Sequence, residues 1–230
     1  MTPYINIHSH QDDIHNSEIS VRNFIIPKDE MLLTSWDYSQ FFSIGIHPWF
    51  IPTRITESLQ TLRHFITHPS CVAIGESGLD KLIATDMNIQ KEAFIQQMEL
   101  ASEHDIPLII HCVKAWNELI DIYRQVRPSS PCIIHGFRGK PELAHELLNH
   151  GFYLSFGFKF NTDSLIQCPI DRMFLETDEE NLPINTLYTL VSEIRSCNEK
   201  LLKEQCFNNL RNLNKKLQVS LKGRTFAGNK

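Results

Sequence analysis

The sequence predicts an α/β fold of the TIM-type (β/α)8 barrel class, somewhat trimmed in its first third. Three observations predict it. Eight short apolar runs recur along the chain, helical patterns separate the later ones, and metal-competent side chains close most of the runs. Strands alternating with helices of this length form parallel βαβ units, and an eight-unit barrel gathers its chemistry at the C-terminal strand ends.

Taken in order, Tyr4–Ile7 is the first strand and Glu18–Ile26, stopped by Pro27, the second. Phe41–Ile46, Cys71–Ile74, Pro107–Ile110, Cys132–Ile134, Phe152–Phe156 and Arg172–Leu175 complete the eight. A helix is expected near Asn88–His104, with Phe94, Ile95, Met98 and Ala101 on one face. Others fall near Ala115–Val126 and Pro141–His150, where Gly151 is a natural stop. Thr186–Arg195 and Leu201–Leu217 read as helical too. Only ten residues separate the first two strands, too few for a crossover helix. That gap is the trimmed part.

The length of 230 residues suits one domain, expected over 1–222, with a small, polar and loose tail at 223–230. Hydrophobic content of 42% and charged content of 21% are ordinary for a soluble protein with a full core. No run approaches the apolar length of a membrane span, and Met1-Thr-Pro-Tyr4 carries no export signal, so no membrane role is expected. The six cysteines are scattered without a C-x-x-C pair and read as reduced thiols of a cytoplasmic protein. A net charge of −5 argues against a broad basic surface, so a polyanionic substrate has to be gripped locally. No obligate protein partner is indicated.

The strand ends carry the chemistry. The fourth strand runs into Gly75-Glu76-Ser77-Gly78, a carboxylate flanked by residues that let backbone turn and neighbours approach. Buried there, Glu76 needs hydrogen bonds or a cation. His8 and His10 lie two apart at the end of the first strand, so both rings face one side. Strand three ends at His47, strand five at His111, strand six at His135, and strand eight at Asp178. Each has a plain structural reading alone: a lone His after an apolar run is usually a satisfied core residue, and Asp178 could cap a helix. Recurrence over five of the eight strands, those ending in His8 and His10, Glu76, His111, His135 and Asp178, favours metal. Two cations sharing Glu76 would satisfy the set, His8, His10 and Asp178 serving one and His111 and His135 the other. Mixed N/O ligation of this kind suits Zn or Mn, with Mg accepting so many imidazoles less readily.

These residues resemble the TatD family of metal-dependent hydrolases and deoxyribonucleases. The matching blocks are His8-Ser-His10, Gly45-Ile-His-Pro48, Ile74-Gly-Glu-Ser-Gly-Leu-Asp80, Pro107-Leu-Ile-Ile-His111, Ile134-His-Gly-Phe-Arg-Gly139, Gly151-Phe-Tyr-Leu-Ser155 and Leu175-Glu-Thr-Asp178. They run in the family's order. The resemblance implies a TIM-type barrel, a binuclear centre, and phosphodiester hydrolysis, typically 3′→5′ on DNA. It places ligands at His8, His10, Glu76, His111, His135 and Asp178. Departures touch the substrate side: Asn6 stands where the family commonly has Asp, Val113 replaces its usual Arg, and Lys114 its usual Asp. The turn after Asp178 also differs.

The reaction expected is hydrolysis of a phosphodiester, in single-stranded DNA or something smaller, by a metal-activated water. Glu76 and Asp178 are the catalytic carboxylates, with Asp178 as general base. Lys81, Lys114, Arg138, Lys140 and Lys159 follow strand ends in the expected rim loops and could hold phosphates; Arg138 and Lys114, with His47, are the substrate-binding candidates. Polar loops are common, which is the plain reading of the same residues. Trp49 and Phe50 read as packing or as a surface for a base. The rival readings are a barrel hydrolase of an amide, ester or lactone, and a metal-stabilised scaffold without activity. Several amidohydrolases place a carboxylated Lys where this chain has Glu76, which favours the first reading.

Overall fold

A computed structural model describes residues 2–11 and 17–213. Its strands are β1 (Tyr4–Ser9), β2 (Glu18–Ile25), β3 (Phe41–Gly45), β4 (Cys71–Asp80), β5 (Leu108–Val113), β6 (Cys132–Ile134), β7 (Tyr153–Phe156) and β8 (Met173–Leu175). They form one eight-stranded sheet ordered as in the chain, the order expected of successive βαβ units. The helices are α1 (Glu30–Leu33), α2 (Ile55–Phe65), α3 (Met87–Glu103), α4 (Trp116–Val126), α5 (Pro141–Asn149), α6 (Thr162–Gln167), α7 (Ile184–Ile194) and α8 (Glu199–Leu213). The expected tail at 223–230, and the last turn of the helix read to Leu217, lie outside the described residues.

Contacts divide the chain into two compact units, Met1–Arg22 with Ile134–Lys230, and Asn23–Ile133. In the first, β7 and β8 pair in parallel in the register Leu154↔Met173, Ser155↔Phe174, Phe156↔Leu175. Two polar side chains anchor its helices. Tyr188 of α7 is fully buried, and its hydroxyl donates to the Ile5 carbonyl at 3.0 Å while accepting from the Ile5 amide at 3.2 Å. Asn209 of α8 donates to the carbonyls of Met173 at 2.8 Å and Ile170 at 2.9 Å. Such pairing removes the cost of burying these groups and fixes how the helices sit on β1 and β8.

In the second unit β3, β4 and β5 pair in parallel around Ile44, Ile74, Leu108 and Ile110, all fully buried. Sequence reading ends the fourth strand at Ile74. The structure extends it to Asp80, with all ten residues buried. The register shifts between Ile74 and Ser77, and pairing resumes as Gly78↔His111 and Asp80↔Val113. Gly75 and Gly78 allow this, at φ +146° and +143°, where L side chains are strained. A Cβ on Gly78 would also run into the His111 carbonyl oxygen. The glycines read as the strand's end are what keep it going past Glu76.

Two buried glutamines of α3 brace backbone at the ends of this unit's strands. Gln97 accepts from the Ile46 amide at 2.7 Å and donates to the Ile46 carbonyl at 3.0 Å. Gln90, two turns earlier on the same face, does the same for Asp80, at 2.8 and 3.0 Å. Each amide serves as a missing strand neighbour. Together they hold the backbone next to His47 and at Asp80.

Candidate metal centre

In the first unit the donors come from β1, from the turn after β6, and from the chain just beyond β8. Asp178 is clamped to β1 on both sides: its amide donates to the His8 carbonyl at 3.1 Å, and the His10 amide donates to its carbonyl at 2.9 Å. The clamp sets Asp178 opposite Ser9 and between the two histidines. Its φ of +54° is left-handed, a conformation that aspartate tolerates better than most. Asp178 Oδ1 then stands 3.6 Å from Nε2 of His8, which is fully buried, and 3.8 Å from Nε2 of His10. His135 joins them, its ring 4.5 Å from that of His8, and His8, His135 and Asp178 each offer a ligand atom within 4.8 Å of the others. Sequence reading sets His135 beside His111 instead.

The spacing has a physical reading. Distances of 3.6 and 3.8 Å exceed a nitrogen–oxygen hydrogen bond. Two donors each about 2.1 Å from a tetrahedral ion stand about 3.4 Å apart. The donor set therefore fits a divalent cation of the zinc type.

Glu176 was not anticipated. It is fully buried on β8's continuation, and its Oε1 accepts from the Gly136 amide at 2.7 Å and lies 3.3 Å from His135 Nδ1. Ser155 Oγ donates to its other oxygen. A carboxylate on Nδ1 puts the proton there and leaves Nε2 of His135 for a ligand role. The available signal was spacing: Glu176 lies two residues before Asp178. Beside these residues a cavity of about 260 Å³ is lined by Arg138, Lys159, Asp178 and Glu180 among others. Arg138 is exposed, whereas Lys159 is paired with Glu180 at 2.7 Å.

The second unit brings Glu76, His111 and His47 together, each offering an atom within 4.8 Å of the others. Here the distances are hydrogen-bonding ones. Glu76 Oε1 is 2.8 Å from His111 Nδ1 and 3.1 Å from His47 Nε2. The Trp49 amide donates to His47 Nδ1 at 3.1 Å. That assigns the imidazole proton to Nε2, so His47 is a donor aimed at Glu76 and a poor metal ligand. His111 Nε2 faces Asp80 Oδ2 at 3.4 Å. Asp80 is buried, which raises its pKa, but the Trp49 indole N–H, the Leu82 amide and His111 outweigh burial and hold the carboxyl below its usual value. Lys114 follows β5 with φ +54° and is exposed; Lys81 is bound to Glu118 at 2.7 Å. Lys140 is exposed as well.

Comparison with known proteins gives the family and the fold. The family described as TatD related DNase matches residues 19–215. The chain belongs to that family. A 3′-5′ ssDNA/RNA exonuclease TatD from Cronobacter turicensis is 30% identical over 202 residues, covering 76% of this chain and 75% of that protein. An uncharacterized metal-dependent hydrolase, YabD, from Bacillus subtilis is 34% identical over 147 residues, covering 60% of this chain and 58% of that one. The chain thus spans under two thirds of the YabD length. Among solved structures, the TatD homolog YjjV from Escherichia coli aligns with a TM-score of 0.80 at 18% identity, covering 92% of this chain and 97% of that one. A TatD family hydrolase from Entamoeba histolytica aligns at 0.77 and 16%, covering 94% and 99%. The likeness establishes the TatD-type (β/α)8 barrel fold.

Proposed function

We propose that this TatD-family chain is a divalent-metal-dependent phosphodiesterase acting on single-stranded DNA from its 3′ end. The observation that carries the reading is the donor set His8, His10, His135 and Asp178, held open at metal-like spacing. A second cation belongs with Glu76 and His111. The imidazole-rich first group favours Zn or Mn, and Mg is the weaker fit. When bound, such a cation supplies Lewis acidity, lowering the pKa of water and neutralising phosphoryl oxygens.

The chain's own residues do the rest. Asp178 accepts the proton of the attacking water. Glu176 holds the proton on His135 Nδ1 and so keeps that ring aimed. His47 directs its Nε2–H toward a phosphoryl oxygen when substrate is present, and toward Glu76 when it is not. Arg138 and Lys114, exposed in the turns after β6 and β5, hold flanking phosphates. Lys81 and Lys159 are already occupied by Glu118 and Glu180. The six free thiols suit the reducing cytoplasm.

The test is a time course on a 5′-labelled single-stranded oligonucleotide. Metal-stripped protein is resupplied with Zn²⁺, Mn²⁺ or Mg²⁺, beside Glu76→Ala and Asp178→Asn. A ladder shortening one nucleotide at a time, absent in both variants, is the expected result. Protein that rebinds metal yet leaves every oligonucleotide intact would contradict the proposal, and amide, ester and lactone substrates would then be screened.

A further inference from the structure

Trp49 is the large aromatic side chain that the proposed chemistry leaves unused. It is 54% exposed, yet it is not loose. Its indole N–H donates to Asp80 Oδ2 at 2.7 Å, and its backbone amide donates to His47. The ring lies edge-on to His47 at 5.1 Å and to His111 at 6.0 Å between centroids. Leu82, 65% exposed, is tied to the other oxygen of the same Asp80 carboxylate through its amide at 2.8 Å. One buried carboxylate therefore holds the Trp49 ring beside His47 and His111 and anchors the backbone at Leu82.

Donating to Asp80 does not require a tryptophan, since a smaller N–H donor would serve. What the indole adds is a rigid aromatic surface left in water, beside His47, whose Nε2–H is the donor proposed for a phosphoryl oxygen. Its orientation is already fixed by the hydrogen bond, so little side-chain entropy remains to be lost when something covers it. We propose that Trp49 is a stacking platform for a nucleobase, taking the base next to the phosphate that His47 contacts. The proposal rests on the phosphodiester reading and narrows it: the substrate is a base-bearing phosphodiester, and a bare phosphoester binds less well. Stacking needs no particular base, because every base has a π face, so sequence tolerance follows.

The test uses the full-length, zinc-loaded protein and oligomers with phosphorothioate linkages, so that binding is read with the cations in place and turnover is suppressed. Wild type, Trp49→Phe and Trp49→Ala are titrated with labelled oligothymidylate and with an abasic oligomer of equal length. Affinity is read by anisotropy and tryptophan emission in parallel. Trp49→Ala is expected to raise the Kd for oligothymidylate about tenfold and to leave the abasic Kd unchanged. Trp49→Phe, which keeps a ring, recovers most of that affinity. Wild-type emission falls on binding oligothymidylate, and Trp49→Phe loses this quench although Trp36 and Trp116 remain. Equal loss on both oligomers, or loss on neither, overturns stacking and leaves the phosphodiester reading standing. Wild type that binds neither oligomer overturns both.

Discussion

The two clusters of histidine and carboxylate in this chain differ in one measurable respect. Around Asp178 the nitrogen–oxygen distances are 3.6 and 3.8 Å, whereas around Glu76 they are 2.8 and 3.1 Å. In the first set Asp178 is pinned to β1 through its own amide and carbonyl, and its carboxylate stands beyond hydrogen-bond distance of both imidazoles. The second set has closed on itself, Glu76 Oε1 standing at hydrogen-bond distance from two imidazoles. Between Asp178 and the two imidazoles a cation entering the first group meets spacings of 3.6 and 3.8 Å. A cation entering the second has to break one or more hydrogen bonds, each worth about 1 kcal/mol or more when charge is involved. Similar residue types thus give unequal sites, and the difference lies in the scaffold.

The largest effect expected is at Asp178. Asp178→Asn keeps shape and removes charge from the open group. Metal-dependent cleavage should fall by about 100-fold or more, read as kcat on labelled oligonucleotide. Next is Gly78→Ala. Its Cβ would strike the His111 carbonyl at a φ of +143°, so a loss of about 3 kcal/mol and a Tm lower by about 6–12 °C are expected. An unchanged Tm would mean that the extended β4 carries no strain. Glu176→Gln comes third. It keeps a hydrogen-bonding partner near His135 but loses the charge that favours the Nδ1 proton, and zinc affinity at the open group should drop about 10- to 100-fold. Calorimetry checks it, and equal affinity would show that Glu176 is a packing residue.

The smallest effect separates the rim cations. Lys81 holds the Glu118 carboxyl below its usual value through their hydrogen bond. A depressed carboxylate adds stability that is present above its unfolded pKa and is lost as pH falls through the lower folded value. Lys81→Ala should therefore cost about 0.5 kcal/mol at neutral pH, with the difference from wild type vanishing in acid. It should leave oligonucleotide affinity unchanged. Lys114→Ala should do the reverse, weakening affinity and flattening its salt dependence.

How far the sequence could be read depended on what each residue reports. Strand order and most helices were legible, because apolar runs and 3.6-residue patterns mark them directly. Helix α2 goes unread in the sequence although Ile55, Leu59, Leu62 and Phe65 recur at helical spacing; of these only Leu62 is buried in the fold. The length of β4 was misjudged, since glycine usually marks a turn and here relieves a close approach instead. His8, His10 and Asp178 were legible as a set because the histidines alternate on one strand and the carboxylate ends another. Glu176 was hidden by its own neighbour, as the eye stops at Asp178. The roles of Gln90 and Gln97 were not legible at all, because a glutamine's value here depends on which backbone amide it faces.

The measurement that tests the central claim most directly is a calorimetric zinc titration of metal-stripped protein, wild type beside Asp178→Asn and Glu76→Gln. Two binding events are predicted for wild type, the tighter one disappearing in Asp178→Asn and the weaker one in Glu76→Gln. If Asp178→Asn retains the tighter event, the open group is not the principal metal site and the comparison drawn from its spacing is wrong.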